Sequence, residues 1–176
     1  MIKNSTLTKL TRVAILSALC VVLRYAFAPL PNINIQPITA IFLITVVLFD
    51  LKEGVATVTI TMLVSSFLMG FGPWVFLQII SFTLILCLWK FLIYPLTKAV
   101  CFGKITEVVL QTFFAGGLGV VYGVIIDTCF AWLYHMPWWT YVLAGLSFNM
   151  AHALSTCLFY PLLLPILRRF RNEKIH

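Results

Sequence analysis

Hydrophobic residues run through this chain in blocks too long for an amphipathic surface helix and too continuous for an alternating strand. The blocks cover residues 8–28, 36–50, 54–71, 74–97, 108–134 and 138–167, and turn-forming or charged residues are confined to the segments between them. A bilayer's hydrocarbon core, ~30 Å thick, takes about 20 apolar residues to cross as a helix. Backbone polar groups inside it must be satisfied within the segment, so runs of this kind predict helices, six of them. The second run is the shortest and is bounded by Pro37, which suggests a helix tilted in from an ordered loop. Turn chemistry marks the joints: PLPNINIQP, FDLKEG, GFGP, CFGK and HMP, in that order. The expected architecture is an all-α integral membrane protein, a single domain over residues 1–176.

Composition strengthens this reading and narrows the function. Hydrophobic residues make up 62% of the 176 and charged residues 10%, which leaves no polar shell for a soluble domain. Transport, chemistry inside the membrane, or a subunit role remain.

The charges also set an expected orientation. Lys3, Lys9 and Arg12 precede the first run, Lys52 follows the second, Lys98 and Lys104 follow the fourth, and Arg168, Arg169, Arg171 and Lys174 close the chain. The first, third and fifth connections carry none. Six spans put both termini on one side with every basic cluster, and the positive-inside rule makes that side the cytoplasm of a cell-membrane protein. The formal charge of +7 is thereby explained by topology, with no need for nucleic acid. The first run has Arg24 near its far end and no small-x-small cleavage site, so it is expected to stay as a span. Cys20, Cys87, Cys101, Cys129 and Cys157 lack CxxC spacing and read as small core residues; no metal site is expected.

Polar groups inside a span cost free energy unless paired, which makes them the candidates for function. Arg24 and Asp127 both fall in the outer half, either as a structural ion pair or as the lining of an outward-facing cavity. Lys90 lies deeper and is expected to snorkel to the inner interface. Asn149 and His152 are three apart and share a helix face, as an interhelical pair or as a cavity floor. The outer loops add Asn32, Asn34 and Gln36 among prolines, then Trp74 and Gln78 after GFGP, then Trp132, Tyr134, His135, Trp138, Trp139 and Tyr141. Four of the five tryptophans fall at this outer end, where a belt would populate both interfaces, so an aromatic mouth for an organic solute is expected. On the first helix Ala14 and Ala18 form an AxxxA stripe, and Gly116, Gly117, Gly119 and Gly123 mark close packing on the fifth.

Taken together, the six spans, AxxxA at Ala14 and Ala18, Arg24 before PLPNINIQP, and GFGPW with Gln78 resemble the substrate-binding S-components of energy-coupling-factor (ECF) vitamin transporters. The resemblance covers essentially the whole chain. It implies that Ala14 and Ala18 contact a transmembrane scaffold subunit and that two cytoplasmic ATPases drive the cycle. It also implies a vitamin held near the outer face by the first and third loops and the outer parts of helices four to six. Such a protein topples in the membrane to release its ligand inside. Cobalamin is the favoured ligand from the loop pattern, with riboflavin, pantothenate, folate and pyridoxine-like compounds as alternatives. The second loop departs from the family's Gly-rich turn by reading FDLKEG. No GxxxxGK[ST] motif occurs, so ATP is expected to be used by partners and no cofactor in this chain. A stand-alone secondary transporter is the main rival, although no internal repeat is evident. A membrane-embedded enzyme is less favoured, because the acidic residues are scattered and His135 and His152 differ in depth.

Overall fold

The computed structural model describes residues 2–28, 35–100 and 103–172. Asn32, Asn34 and Cys101 lie outside the described residues. Six helices follow one another: α1 (Ile2–Phe27), α2 (Ile38–Leu48), α3 (Leu51–Met69), α4 (Trp74–Val100), α5 (Lys104–Leu133) and α6 (Trp138–Asn172). Among them α3, α4, α5, α6 and, from Thr6 onward, α1 are long and apolar enough to cross a membrane.

The expectation of six bilayer-length runs needs correcting at α2. This helix has 11 residues, or ~16 Å at 1.5 Å per residue, against a hydrocarbon core of ~30 Å. Two sequence features limit it. Pro37 stands at its N-terminus, and Asp50 begins the next helix almost at once by accepting a hydrogen bond from Leu51 N at 2.7 Å. Most of FDLKEG is therefore the first turn of α3, with Glu53 placed favourably for the helix dipole. An all-round apolar helix must be buried on every side. Ten of the eleven α2 residues are, against α3, α4, α5 and α6.

Helices α1 and α3 run in the same direction, joined at three levels: Arg12 to Glu53, Ser17 to Thr57, and Arg24 to Met62. The Arg12–Glu53 pair is bidentate, with Nε–Oε2 at 3.0 Å and Nη2–Oε1 at 2.8 Å, and the guanidinium also covers the Phe49 ring at 4.6 Å. This level, where α1 and α3 begin, is the basic end of the bundle. The opposite end, where they finish, is the mouth end.

Lys90, expected to snorkel toward the inner interface, is tied to α2. Its ammonium donates to the Val46 carbonyl at 2.9 Å, serving the last turn of α2, whose carbonyls have no helical partners. It can do so because α4 widens into a π-turn at Trp89–Ile93. The cause is legible in the sequence: Pro95 has no N–H for the Phe91 carbonyl four residues earlier, and a π-turn accommodates the missing bond.

Helices α5 and α6 lie close along a glycine seam. A Cβ at Gly116 would meet Cys157, and one at Gly119 would come within 3.1 Å of the Ala153 Cα. Gly117 faces open space and takes no part. Ala14 and Ala18 are exposed on α1, while Ser17 turns inward toward the Thr57 carbonyl.

Candidate ligand-binding cavity

Because α2 stops halfway, the bundle has six helices around its basic end and only five around its mouth end. The missing half-helix leaves a cavity of ≈ 580 Å³. Ile38, the first residue of α2, lines its floor, with Ile35 and Gln36 just before it. Gln36 is fixed there from α6, since its backbone N–H donates to Ser155 Oγ at 2.9 Å and the Ser155 hydroxyl donates back to its carbonyl at 3.0 Å.

Two polar poles face this cavity. One joins α1, α3 and α4: Arg24 donates from Nη2 to Gln78 Oε1 at 3.3 Å and from Nη1 to Met62 Sδ. The other joins α5 and α6, where Asn149 Nδ2 donates to Asp127 Oδ2 at 2.6 Å. Asn149 sits against Gly123 and Asp127 against Gly145, so each side chain rests in the notch that a glycine leaves on the facing helix. The Arg24–Asp127 ion pair allowed by the sequence is not formed; among the described residues the ion pair is Arg12–Glu53.

Rings occupy the remaining walls. Phe82 and Tyr122 stack with centroids 4.0 Å apart and planes at 24°. Phe130 and Tyr141 meet edge to face at 6.2 Å, and Phe27 and Phe148 complete the apolar lining. Flat apolar walls with a few placed polar groups are the usual make-up of a small-molecule site.

Of the residues singled out in the sequence, Arg24, Gln36, Gln78, Asp127 and Asn149 converge on this cavity. His152 lies beneath its floor, 1% exposed, sharing a hydrogen bond with Thr39 Oγ1 at 2.9 Å and packing 5.6 Å from the Tyr122 ring. The outer aromatics divide, with Tyr141 in the lining and the others placed elsewhere. Trp74, Tyr134, His135, Trp138 and Trp139 do not line the cavity. Trp74 folds over Gly72, and Tyr134 contacts Phe130. Trp138 donates to Thr128 Oγ1 at 2.9 Å, and Trp139 is 69% exposed. The exposure of Tyr134, Trp138 and Trp139 fits an interfacial belt, whereas Trp74 packs partly buried against the core. His135 takes φ 53° at the turn between α5 and α6, a conformational role.

The sequence reading missed Phe82, Tyr122, Phe130, Gly145 and Phe148, while Tyr141, one of the expected outer aromatics, lines the cavity. Aromatic residues inside apolar runs carry no mark that separates cavity walls from core. Gly145 alone had a signal, as a lone glycine in a span. Cys20, Cys87, Cys129 and Cys157 are free thiols, and among the described residues no three His, Cys, Asp or Glu side chains gather as metal ligands would.

Comparison with known proteins gives one family match, "ECF transporter, substrate-specific component", over residues 8–164. No curated protein and no solved structure matches the chain.

Proposed function

The chain belongs to the substrate-specific components of ECF transporters, and on that premise we propose that it captures a vitamin-like organic solute in the cavity between Arg24 and Asp127. The mouth end faces outside and the basic end the cytoplasm, an orientation supported by the distribution of Lys and Arg. Energy comes from partner subunits, a transmembrane scaffold and two ATPases, with Ala14 and Ala18 on the exposed face of α1 as the contact. The observation that carries the reading is two poles of opposite charge, unpaired with each other, facing one aromatic-walled space. A structural pair would have closed on itself, since buried charge is costly without a partner.

Arg24, Gln36, Gln78, Asp127 and Asn149 are the proposed direct contacts, with Asn32 and Asn34 contributing from the first loop. Cobalamin remains the ligand favoured by the pattern of the first and third loops. A second reading rests on size. A cavity of ≈ 580 Å³ lies within the ~300–1,000 Å³ that bury most of a drug-sized ligand. Riboflavin, pantothenate, folate and pyridoxine are of that scale, whereas cobalamin, with its corrin ring and nucleotide arm, would project beyond it. Size is the stronger argument, because it is read from this chain's own walls.

The direct test is purification from rich medium, denaturation, and mass spectrometry of the released small molecules. A stoichiometric organic solute supports the reading and names the ligand. Protein that comes out empty and binds no vitamin added back counts against it.

A further inference from the structure

The two poles differ in chemistry, and that difference restricts the ligand. An arginine guanidinium has five N–H donors in a planar fork and no acceptor, and an ionised carboxylate only accepts. Arg24 donates to a thioether and an amide oxygen, with no carboxylate at ion-pair distance among the described residues. Asp127 holds one hydrogen bond, to Asn149, and its second oxygen has no protein donor among the described residues. The first pole is on α1 and α4 and the second on α5 and α6, with the Phe82–Tyr122 stack between the helices that carry them. A solute that satisfies both must itself be two-ended.

We propose that the cavity selects a flat heteroaromatic solute with an anionic group at one end, held by Arg24 and Gln78, and an N–H donor edge at the other, held by Asp127 and Asn149. The inference rests on the binding role proposed above and narrows it. The ring lies between the poles among Phe130, Tyr141 and Phe148, over the rim of the Phe82–Tyr122 stack, where aromatic contact needs no hydrogen bonds. Bidentate pairing at either end, guanidinium to carboxylate and carboxylate to a pair of N–H donors, adds geometric selection as well as strength. Compounds with one of the two ends leave the opposite charge buried and unanswered, which is a penalty and not merely a lost contact.

The probes are folate, whose pterin carries an N–H edge and whose tail is anionic, together with its halves p-aminobenzoylglutamate and 6-hydroxymethylpterin. Pantothenate, riboflavin and cobalamin serve as comparators. Calorimetry on the full chain in lipid nanodiscs should give folate a Kd at least tenfold below every other probe. Arg24→Gln should weaken p-aminobenzoylglutamate and spare the pterin, and Asp127→Asn should do the reverse. Cobalamin, riboflavin or pantothenate binding more tightly than folate would overturn the two-ended class while leaving the binding role standing. Failure of all six probes would overturn the class and count against the binding role as well. Equal losses for both halves in both variants would reduce Arg24 and Asp127 to structural residues.

Discussion

Asn149 on α6 and Asp127 on α5 each occupy the notch left by a glycine on the other's helix, and they meet at 2.6 Å. The exchange is reciprocal: Gly123 makes room for Asn149, and Gly145 makes room for Asp127. Two glycines thus hold the acidic pole at one orientation. A methyl group at either one should turn it away. Gly145→Ala and Gly123→Ala are expected to weaken ligand binding tenfold or more, about 1.4 kcal/mol, with helical content unchanged. Gly117→Ala, which enters open space, is the control and should bind normally.

Ala14 and Ala18 present small side chains on an exposed stripe of α1. Ala14→Trp or Ala18→Trp should abolish uptake by whole cells while the isolated protein keeps its affinity for ligand. Loss of both together would remove the docking role from this face.

The Arg12–Glu53 pair ties α1 to α3 at the basic end, far from the cavity. Glu53 is nearly buried while Arg12 is 21% exposed, so partial solvation moderates the loss. Glu53→Gln should cost about 1–3 kcal/mol, read as a lower melting temperature in detergent, with affinity unchanged.

Lys90→Met leaves the Val46 carbonyl without its donor at the buried end of α2. The expected loss is about 1–3 kcal/mol, again in thermal stability. An accompanying loss of affinity would mean that α2 shifts and carries the cavity floor with it.

Trp74 and Trp139 separate a belt from a mouth. Trp139→Ala should leave binding untouched, since the ring is displayed outward. Trp74→Ala should lower stability through the turn at Gly72, and a large drop in affinity alone would restore Trp74 to the ligand's surroundings.

The helices were legible because hydropathy reports burial in lipid directly, and Pro37, Asp50, Gly70 and Pro95 each punctuate the chain at a visible residue. Arg24, Gln78, Asp127 and Asn149 were legible because a polar group in an apolar run needs a reason. The half-length of α2 was only hinted at by Pro37, since a fully buried helix and a lipid-facing one have the same composition. Tyr122 and Phe82 were invisible as walls for the same reason. That Trp138 and Trp139 lie apart from the cavity lining was not legible, because sequence gives depth along a helix and not azimuth around it. The partner of Lys90 was not legible, because a backbone carbonyl has no sequence identity to read.

Short as it is, α2 makes the molecule a cup and not a pipe. Phe42, Ile41 and Ile44 fill the space beneath the cavity at close to zero exposure, and Gln36 is bolted to Ser155 at the rim of that plug. Among the described residues, the side chains beneath Ile38 toward the basic end form closed core. Under the import role proposed above, the whole cup is then expected to move, with the exposed face of α1 as the proposed grip.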